Sequence, residues 1–413
     1  MSYYLIGCPL GHSFSPEIHA ALGIKDYRLR ELSPEDLPGF LKQGQFEGLN
    51  VTIPYKGAVI PYLTEMSETA RQIGAVNTIV RTADGGLYGD NTDAAGFRKL
   101  ARETGVDFQG KRVLILGTGG TSRTVSYVAR TEGAADVRHV SRGGPIDYEN
   151  VYELCPDAEV LVNTTPVGMY PDCFSSRIDL TRFPELTGVL DVVYNPLMTP
   201  LVRQAKALGL PAANGLLMLV EQARAAQELF LGRQIPEQVM RRAFSGLLAS
   251  RSNLILIGMP GSGKTTIGRL TAELMQRQFL DADAALVEKT GMEIPEIFER
   301  YGEEGFRERE EETVAELCAK GGRVIAMGGG AVLRERNRHA MRMNGRVYLI
   351  DRPLQQLDRA GRPLSSSTQV LEKMKETRMP YYLETADVQM DNVAEPGDVA
   401  MKIAEEFHEY FGD

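Results

Sequence analysis

NLILIGMPGSGKTTIGRL, residues 253–270, joins an apolar run to a glycine-rich turn and then to a helical pattern. Gly258–Thr265 satisfies G-x-x-x-x-G-K-[ST] in the strand-to-helix setting that this motif requires. Glycines there let backbone amides surround phosphates, Lys264 reaches the β- and γ-oxygens, and the Thr265 hydroxyl can ligate Mg²⁺. The stretch predicts a nucleoside triphosphate site, formed by Gly261, Ser262, Gly263, Lys264, Thr265 and Thr266.

A second glycine-rich turn follows the strand-like run RVLILG (112–117) and leads into another helical pattern. Gly117, Gly119 and Gly120 form a dinucleotide-type turn, although Ser122 stands where the usual fingerprint has its third glycine. The next run, ADVRHV (135–140), ends at Ser141-Arg142, where an NAD enzyme has an acidic residue. Arg142 suits a 2′-phosphate and so favours NADP over NAD, although alone it could be a solvated loop arginine.

The two turns lie far apart along the chain, so they predict two modules with separate sheets. Short apolar runs alternate with helix-length amphipathic stretches, which indicates an α/β fold with mainly parallel sheets. The small, polar stretch around residues 246–252 precedes the second nucleotide strand and predicts a short linker. The strand-like runs are YYLIG (3–7), RVLILG (112–117), EVLVNTT (159–165), GVLDVVY (188–194), NLILIG (253–258), RVIAMGG (323–329) and RVYLID (346–351).

Composition narrows the classes of partner. The 413 residues are 43% apolar and 24% charged, with a net charge of −9 and no basic block, which argues against nucleic acid or anionic membrane as a partner. The four cysteines have no metal-site spacing and are expected to be free thiols. Neither a signal peptide nor a membrane-length apolar run is evident, so we expect a cytoplasmic protein.

Downstream of the phosphate motif lie FLDADAALVE (279–288), GEEGFRERE (302–310), VIAMGGGAV (324–332), GRPL (361–364) and RMPYY (378–382). In their order and composition these blocks resemble the shikimate kinase family, a relative of the nucleoside monophosphate kinases, across residues 252–413. The resemblance implies a P-loop α/β module with a parallel sheet, which binds ATP, Mg²⁺ and shikimate.

Residue by residue, the resemblance implies a substrate site and a lid in this module. Arg307 and Arg378 would clamp the carboxylate, and Gly329 lies in the loop that approaches the substrate. Asp283 would grip the ring hydroxyls and either orient or deprotonate the attacking one. Asp281 would contact Mg²⁺ through water, beside Thr265. Arg362 would close over the γ-phosphate, and Arg359 is a candidate for adenine stacking. Taken alone, Arg307 could be a surface ion pair in an acidic helix, and Asp281 and Asp283 could cap a turn.

Seven blocks around the dinucleotide turn resemble the shikimate dehydrogenase family across residues 1 to about 245. They are GCPLGHSFSPEIHAAL (7–22), NVTIPYK (50–56), GAVNT (74–78), GDNTD (89–93), NTTPVGM (163–169), DVVYNPLMTPL (191–201) and GLLMLVEQ (215–222). The resemblance implies two lobes with the active site between them. Residues 1–95 plus 215–245 would form the substrate lobe, 96–214 the Rossmann NADP lobe, 246–252 the linker and 253–413 the kinase-like domain.

The same resemblance assigns Lys56 and Asp93 to acid–base catalysis, since hydride transfer to a ketone needs a proton donor for the developing alkoxide. Taken alone, the block of Lys56 could be a strand end and Asp93 a helix N-cap. His12 and His19 also suggest acid–base groups, but the resemblance gives the chemistry to the Lys–Asp pair, and we interpret His12 as structural. The resemblance also implies that Ser13 and Ser15 bind the substrate carboxylate and that Thr52, Asn77 and Gln222 bind ring hydroxyls. It implies that Tyr194 and Gly215 line the cleft. Thr121 would bind NADP together with the glycines of the turn.

Together the two resemblances imply consecutive reactions: NADPH-dependent reduction of 3-dehydroshikimate to shikimate, then MgATP-dependent phosphorylation of shikimate to shikimate 3-phosphate. Two alternatives stay open, namely that one module is a degenerate binding domain, or that the dehydrogenase uses NAD and accepts quinate. The fusion of the two modules has two interpretations. It raises the local concentration of shikimate at the second active site, or it only matches the expression of the two modules. A homodimer is also open.

Overall fold

The computed structural model describes residues 2–11, 13–357 and 368–412. The chain divides into two compact units, Met1–Asn195 with Thr199–Leu247, and Pro196–Met198 with Leu248–Asp413. The strands are β1 (Tyr3–Gly7), β2 (Tyr27–Glu31), β3 (Gly48–Val51), β4 (Glu65–Met66), β5 (Thr78–Arg81), β6 (Leu87–Asp90), β7 (Arg112–Leu116), β8 (Asp136–Val140), β9 (Val160–Asn163), β10 (Gly188–Asp191), β11 (Ala212–Ala213), β12 (Asn253–Ile257), β13 (Gln278–Asp281), β14 (Arg323–Ala326), β15 (Gly345–Asp351) and β16 (Val388–Asp391).

The α-helices alternate with these strands, as the sequence pattern predicts. They are α1 (Ser15–Ala21), α2 (Leu37–Gln43), α3 (Glu68–Ile73), α4 (Asp93–Thr104), α5 (Gly120–Thr131), α6 (Val151–Leu154), α7 (Pro200–Ala207), α8 (Leu216–Leu231), α9 (Glu237–Arg251), α10 (Lys264–Leu274), α11 (Ala282–Thr290), α12 (Ile294–Ala319), α13 (Glu335–Asn344), α14 (Thr368–Thr385) and α15 (Pro396–Phe411).

Three sheets organise the chain, two in the first unit and one in the second. The first is mixed, in the order β2-β1-β3-β5-β6-β4, with β5 antiparallel to both β3 and β6. The second, β11-β10-β9-β7-β8, and the third, β13-β14-β12-β15-β16, are parallel throughout. The prediction of an α/β fold with a Rossmann-type sheet and a separate parallel P-loop sheet is therefore confirmed.

Strand order places both glycine-rich turns where a parallel sheet binds ligands. The chain leaves β7 for β8 on one side and returns to β9 on the other, so the turn after β7 lies at a topological switch point. In the third sheet β12 lies between β14 and β15, and the turn after β12 lies beside the loop that follows β14. Both turns thus open at the carboxyl ends of their sheets.

The mixed sheet brings together segments that are distant in sequence. Thr78, the first residue of β5, pairs with Asn50 of β3 and with Asp90 at the end of β6. The segments that carry Thr52, Asn77 and Asp93 therefore emerge at one edge. Gly96 of α4 lets this helix pack closely on α8, since a Cβ there would collide with the Met218 carbonyl and would lie 3.2 Å from the Gln222 Cβ.

The predicted junction at 246–252 lies mostly within a helix, because α9 continues through Arg251. Its small residues include alanine, a strong helix former. The division between the compact units falls at Leu247 and Leu248, inside this helix. Within the described residues, no helix is both long and apolar enough to span a bilayer.

His19 lies fully buried behind the mixed sheet. Its ring stacks on Tyr27 at 4.0 Å between centroids, and its two nitrogens lie 3.0 Å from Gln227 Oε1 and 3.1 Å from Asn50 Oδ1. Burial lowers the pKa of His19 to about 4, although both hydrogen bonds oppose that shift. The residue therefore belongs to the core and not to the acid–base machinery.

We expect His19 to make folding pH-dependent. The unfolded chain binds a proton at this residue near pH 6.5, and the folded chain only near pH 4. Its contribution to stability is therefore complete above about pH 6.5 and is lost as the pH falls toward 4, by at most about 3 kcal/mol. Urea unfolding across this pH range should show a steeper acid loss for wild type than for His19→Gln. The exposed His408→Gln variant is the control, and equal slopes for wild type and His19→Gln would contradict the prediction.

Candidate active sites

A cavity of about 340 Å³ in the first unit gathers residues from all parts of that unit. The predicted residues that line it are Ser13, Ser15, Thr52, Lys56, Asn77, Asp93, Thr121, Tyr194, Gly215 and Gln222. They come from the turns after β1, β3 and β10, from the residue before β5, from the first turns of α1, α4 and α5, and from the start and second turn of α8. The structure thus unites side chains that lie as much as two hundred positions apart.

Lys56 and Asp93 form an ion pair in this cavity. The Lys56 ammonium lies 2.6 Å from Asp93 Oδ2, and the two side chains are only 19% and 11% exposed. Asp93 is the first residue of α4, where the helix dipole favours a carboxylate. Asn77 Nδ2 donates to Asp93 Oδ1 at 2.8 Å. The carboxylate is therefore held on both oxygens, and it positions an ammonium that can donate a proton into the cavity.

The serine hydroxyls at the mouth of the cavity are aligned by α1. Ser13 Oγ donates to Ser15 Oγ at 3.1 Å and accepts from the Ser15 amide at 3.2 Å. Ser15, the first residue of α1, is nearly buried. Two clustered hydroxyls at the mouth of a polar cavity suit a carboxylate. Tyr194, whose pKa burial raises, packs on Phe14 at 5.3 Å and closes the opposite wall.

A buried amide network that the sequence did not reveal supports this cavity. Asn50 accepts from Tyr27 Oη at 2.8 Å and donates to Thr78 Oγ1 at 3.2 Å. Asn77 Oδ1 accepts from the Thr92 amide at 2.7 Å. Asn50 lies in the quoted block NVTIPYK and Thr92 in GDNTD, but their role emerges only once β3, β5 and β6 are paired.

The dinucleotide turn has room for a pyrophosphate. Gly117 has a φ of +109° and packs on Thr164, so a side chain would be strained and obstructed there. A Cβ on Gly119 or Gly120 would meet nothing within 4 Å, which leaves the start of α5 open to an anion. Arg142 is exposed just after β8, as the prediction of a 2′-phosphate contact requires. The geometry therefore fits a dinucleotide.

His139 is a second feature that the sequence did not reveal. Its Nδ1 lies 2.9 Å from Ser122 Oγ and 3.1 Å from the Gly117 carbonyl, and its Nε2 lies 2.7 Å from Ser126 Oγ. Ser122 Oγ itself donates to the Gly117 carbonyl at 2.9 Å. The serine that replaces the third glycine is thus part of a hydrogen-bonded clamp beneath the turn.

The phosphate motif of the second unit has the backbone that its glycines predict. Gly261 and Gly263 have φ values of +80° and +94°, and α10 begins at Lys264. The Lys264 ammonium is nearly buried and donates to the carbonyls of Gly258 and Met259 at 2.9 and 3.0 Å. Ser262 is buried in the loop, and Thr265 and Thr266 are exposed at the first turn of α10. A cation is therefore held inside the phosphate loop by backbone carbonyls of that loop.

Thr265 and Asp281 meet at the edge of the phosphate loop. Thr265 Oγ1 donates to Asp281 Oδ2 at 2.9 Å, and Asp281 Oδ1 accepts from the Asp283 amide at 3.1 Å at the start of α11. Asp281 therefore caps the start of α11, which agrees with the alternative that this residue is a cap. It also faces the phosphate loop. Two oxygen ligands beside a phosphate site fit Mg²⁺, which usually binds few protein groups and completes its shell with water and phosphate oxygens.

The glycine loop after β14 lies among charged side chains. A Cβ on Gly328 would lie 2.6 Å from Asp283 Oδ1 and 3.2 Å from Glu310 Oε1. A Cβ on Gly330 would lie 2.6 Å from both terminal nitrogens of Arg307. Gly328 and Gly330 therefore lie beside one cation and two carboxylates, and any side chain on either glycine would displace them.

Arg307 is not a surface ion pair, because its side chain is 11% exposed and binds the equally hidden Glu310 at 2.7 Å. Burial raises the pKa of Glu310, and Arg307 opposes that shift. The sequence could not single out Glu310 among the neighbouring glutamates. Only its spacing of three residues from Arg307 places both on one face of α12.

Arg378 approaches the glycine loop from α14, where its Nη1 donates to the Gly329 carbonyl at 3.0 Å. The second unit thus brings together Lys264, Asp283, Arg307, Gly329 and Arg378. The predicted roles of Arg362, Arg359 and His12 fall on residues outside those that the structure describes.

Comparisons with known proteins match stretches of both units to protein families. The family described as "Shikimate kinase" matches residues 260–408. "Shikimate dehydrogenase substrate binding domain" matches residues 5–79, and "Shikimate 5'-dehydrogenase C-terminal domain" matches residues 215–243.

Curated and solved relatives cover the first part of the chain. Shikimate dehydrogenase (NADP(+)) of Halothermothrix orenii is 37% identical over 264 residues, which are 55% of this chain and 90% of that protein. The structure of a chorismate mutase/shikimate 5-dehydrogenase fusion protein from Clostridium acetobutylicum is 37% identical, with a TM-score of 0.57 over 60% of this chain and 97% of that one. Shikimate 5-dehydrogenase from Thermus thermophilus, solved in complex with NADP(H) and shikimate, is 34% identical, with a TM-score of 0.52 over 59% and 98%. The chain therefore belongs to the shikimate dehydrogenase family and carries a shikimate kinase domain behind its dehydrogenase region.

Proposed function

We propose that the first unit reduces 3-dehydroshikimate to shikimate with NADPH. The observation that carries this proposal is the Lys56–Asp93 ion pair in a cavity that also contains Ser13 and Ser15. The serine hydroxyls hold the substrate carboxylate, and Asn77 and Gln222, which lie 3.5 Å apart, bind ring hydroxyls together with Thr52.

In this mechanism bound NADPH supplies a hydride to the carbonyl carbon of the substrate. Lys56 donates a proton from its ammonium to the carbonyl oxygen as negative charge develops there, and the C=O bond becomes an alcohol. Asp93 orients Lys56 before transfer, and Asn77 fixes Asp93. Tyr194 and Gly215 border the cleft between the dinucleotide turn and the substrate.

NADP is the proposed cofactor, bound by Gly117, Gly119, Gly120, Thr121 and Arg142. The open space above the glycines supports the pyrophosphate contact, and the exposed cation after β8 supports recognition of the 2′-phosphate. The names of the Halothermothrix and Thermus relatives agree with this cofactor.

For the second unit we propose transfer of the γ-phosphoryl group of ATP to a hydroxyl of shikimate. The observation that carries this proposal is the convergence of Lys264 in its phosphate loop with Asp283 and Arg307 at the adjacent glycine loop. Arg307 and Arg378 bind the carboxylate, and Asp283 accepts the proton of the attacking hydroxyl. The hydroxyl oxygen bonds to the γ-phosphorus as the bond to the β,γ-bridging oxygen breaks, and Lys264 offsets the charge on the phosphates.

Mg²⁺ is the proposed metal, and Thr265 and Asp281 are the residues that would hold it beside the phosphates. Its charge would neutralise the developing charge on the phosphate oxygens. A closing role for Arg362, a cytoplasmic location and a homodimer stay predictions from the sequence.

Two single substitutions should separate the two activities. Lys56→Ala removes the proton donor and should lower the dehydrogenase kcat by about 10²- to 10⁴-fold, with normal kinase activity. Lys264→Ala removes the phosphate cation and should lower kinase activity at least about 100-fold, with normal dehydrogenase activity. NADPH consumption and ADP formation are measured separately for both variants. The activity that stays normal in each variant shows that the protein is folded. A variant that kept its own reaction intact would refute the assignment of that site, and an inactive wild-type unit would favour a degenerate binding domain.

Cofactor choice should depend on Arg142. Arg142→Ala loses a charged contact to the 2′-phosphate, so kcat/KM for NADP⁺ should fall by about ten- to a hundredfold while that for NAD⁺ changes little. Arg130→Ala, at an exposed arginine of α5, is the matched control. Equal losses with both cofactors, or a wild-type preference for NAD⁺, would contradict NADP recognition by Arg142. Assay with quinate in the same series tests the wider substrate range.

Glu310 should affect the binding of shikimate in the second unit, because it orients Arg307. Glu310→Gln keeps the size of the side chain but removes the countercharge, so Arg307 should lose its orientation and the kinase KM for shikimate should rise by about tenfold. The KM for ATP, measured at saturating shikimate, should change much less, because Lys264 is held by the carbonyls of Gly258 and Met259. Glu308→Gln, at an exposed glutamate of the same helix, is the control. A rise in both KM values would instead indicate general loss of structure.

A further inference from the structure

Tyr382 occupies a central position in the second unit that neither proposed reaction step uses. Its side chain is fully buried on α14. Its hydroxyl lies 3.0 Å from the carbonyl of Gly258 and 2.5 Å from the carbonyl of Gly329. Gly258 opens the nucleotide loop, and Gly329 belongs to the glycine loop of the acceptor site. One phenol therefore touches the backbone of both binding loops.

A phenol has a single proton and so cannot fully bond both carbonyls at once. Burial raises the pKa of Tyr382 to about 12, which keeps this hydroxyl protonated and therefore a donor at neutral pH. The hydrogen bond of the Tyr382 hydroxyl is shared between the carbonyl oxygens of Gly258 and Gly329. A change at either carbonyl therefore shifts this hydrogen bond toward the other.

Each of these carbonyls also accepts from a cation of the proposed site. Lys264 Nζ donates to the Gly258 carbonyl at 2.9 Å, and Arg378 Nη1 donates to the Gly329 carbonyl at 3.0 Å. The hydrogen bonds form one chain, from Lys264 through Gly258, Tyr382 and Gly329 to Arg378.

Nucleotide binding must disturb this chain at its first member. When Lys264 turns to the phosphates, the Gly258 carbonyl loses a charged donor in a buried place, where an unpaired acceptor is costly. Tyr382 can supply the replacement, and the Gly329 carbonyl then depends on Arg378 alone. An arginine has five N–H groups, so one can hold Gly329 firmly while others face a carboxylate.

We propose that Tyr382 is a positioning residue that couples the nucleotide loop to the acceptor loop, so that each substrate of the second unit strengthens the binding of the other. The inference rests on the kinase function proposed above. Coupling of this kind is reciprocal: the factor by which MgADP tightens shikimate binding must equal the factor by which shikimate tightens MgADP binding.

Tyr382→Phe isolates the hydroxyl. The ring still fills the core, and each carbonyl keeps its cationic donor in the absence of ligands, so the variant should fold. With the phenol gone, nothing replaces Lys264 at Gly258, and MgADP binding should weaken by about two- to tenfold. The Gly329 carbonyl then no longer responds to the nucleotide, so the coupling factor should fall to about one.

The experiment is calorimetric titration of the full chain with MgADP, in the absence and in the presence of saturating shikimate. An initial-rate matrix of ATP against shikimate, run without NADP(H) so that the first unit is idle, gives the same coupling factor from kinetics. We expect MgADP to bind wild type about two- to tenfold more tightly with shikimate present, and Tyr382→Phe equally with and without it. Tyr381→Phe removes the hydroxyl of the neighbouring, half-exposed tyrosine and should behave as wild type.

The outcomes separate the two levels of the proposal. Wild type that binds neither MgADP nor shikimate at this unit, or forms no ADP, would overturn the kinase function itself. Wild type that binds both without coupling, or Tyr382→Phe that retains the wild-type factor, would overturn only the role of Tyr382. If Tyr382→Phe loses its folded structure, 3-fluorotyrosine at position 382 keeps ring and hydroxyl but makes a stronger donor. Its coupling factor should then differ from wild type, and an unchanged factor would overturn the inference.

Discussion

Withdrawing a cation from water is costly unless a partner accepts its hydrogen bonds, and this constraint shapes both sites of the chain. Lys56 is held by Asp93, Arg307 by Glu310, and Lys264 by two backbone carbonyls. In each case the partner is a group of the chain itself. The cations are therefore oriented in advance, and a ligand that carries a carboxylate or phosphate meets groups that need little rearrangement.

The choice of partner follows from what each cation must do. In the proposed dehydrogenase step Lys56 gives up a proton, and the carboxylate beside it orients the ammonium toward the cavity. In the proposed kinase step Arg307 binds the substrate carboxylate, and the buried Glu310 fixes its planar fork for that contact. Lys264 would turn to the phosphates in that step, and two neutral carbonyls release it more easily than a carboxylate would. Glycines complete the arrangement, because the loops at Gly117 and Gly330 leave no room for a side chain beside Thr164 or Arg307.

Much of this architecture could be predicted from the sequence, because its signals are local. An apolar run followed by GMPGSGKT fixes strand, turn and helix within eighteen residues, and the quoted blocks fixed Lys56, Asp93, Asp283 and Arg307 by family resemblance. Asn50, Glu310 and Tyr382 could not be found in this way. Glu310 differs from its exposed neighbours only by the face of α12 on which it lies, and Tyr382 acquires its meaning only when β12 and β14 bring Gly258 and Gly329 together. The sequence did not reveal that most of the junction at 246–252 is helical, because residues of small size are compatible with a helix as well as with a loop.

The least typical part of the sequence shows how a departure from a motif can be accommodated. Ser122 replaces a glycine whose purpose is close packing of the helix on the strand. A serine there adds volume and a polar group that would be costly if it were buried unpaired. The chain provides partners for it, since Ser122 Oγ binds the Gly117 carbonyl and His139, and His139 in turn binds Ser126 on the next turn of α5. The polar group thus becomes a tie between β7, β8 and α5, beside the turn that is proposed to bind the pyrophosphate. The turn loses the freedom of a glycine but gains fixed hydrogen bonds, so that a weaker sequence motif still yields a well-defined turn.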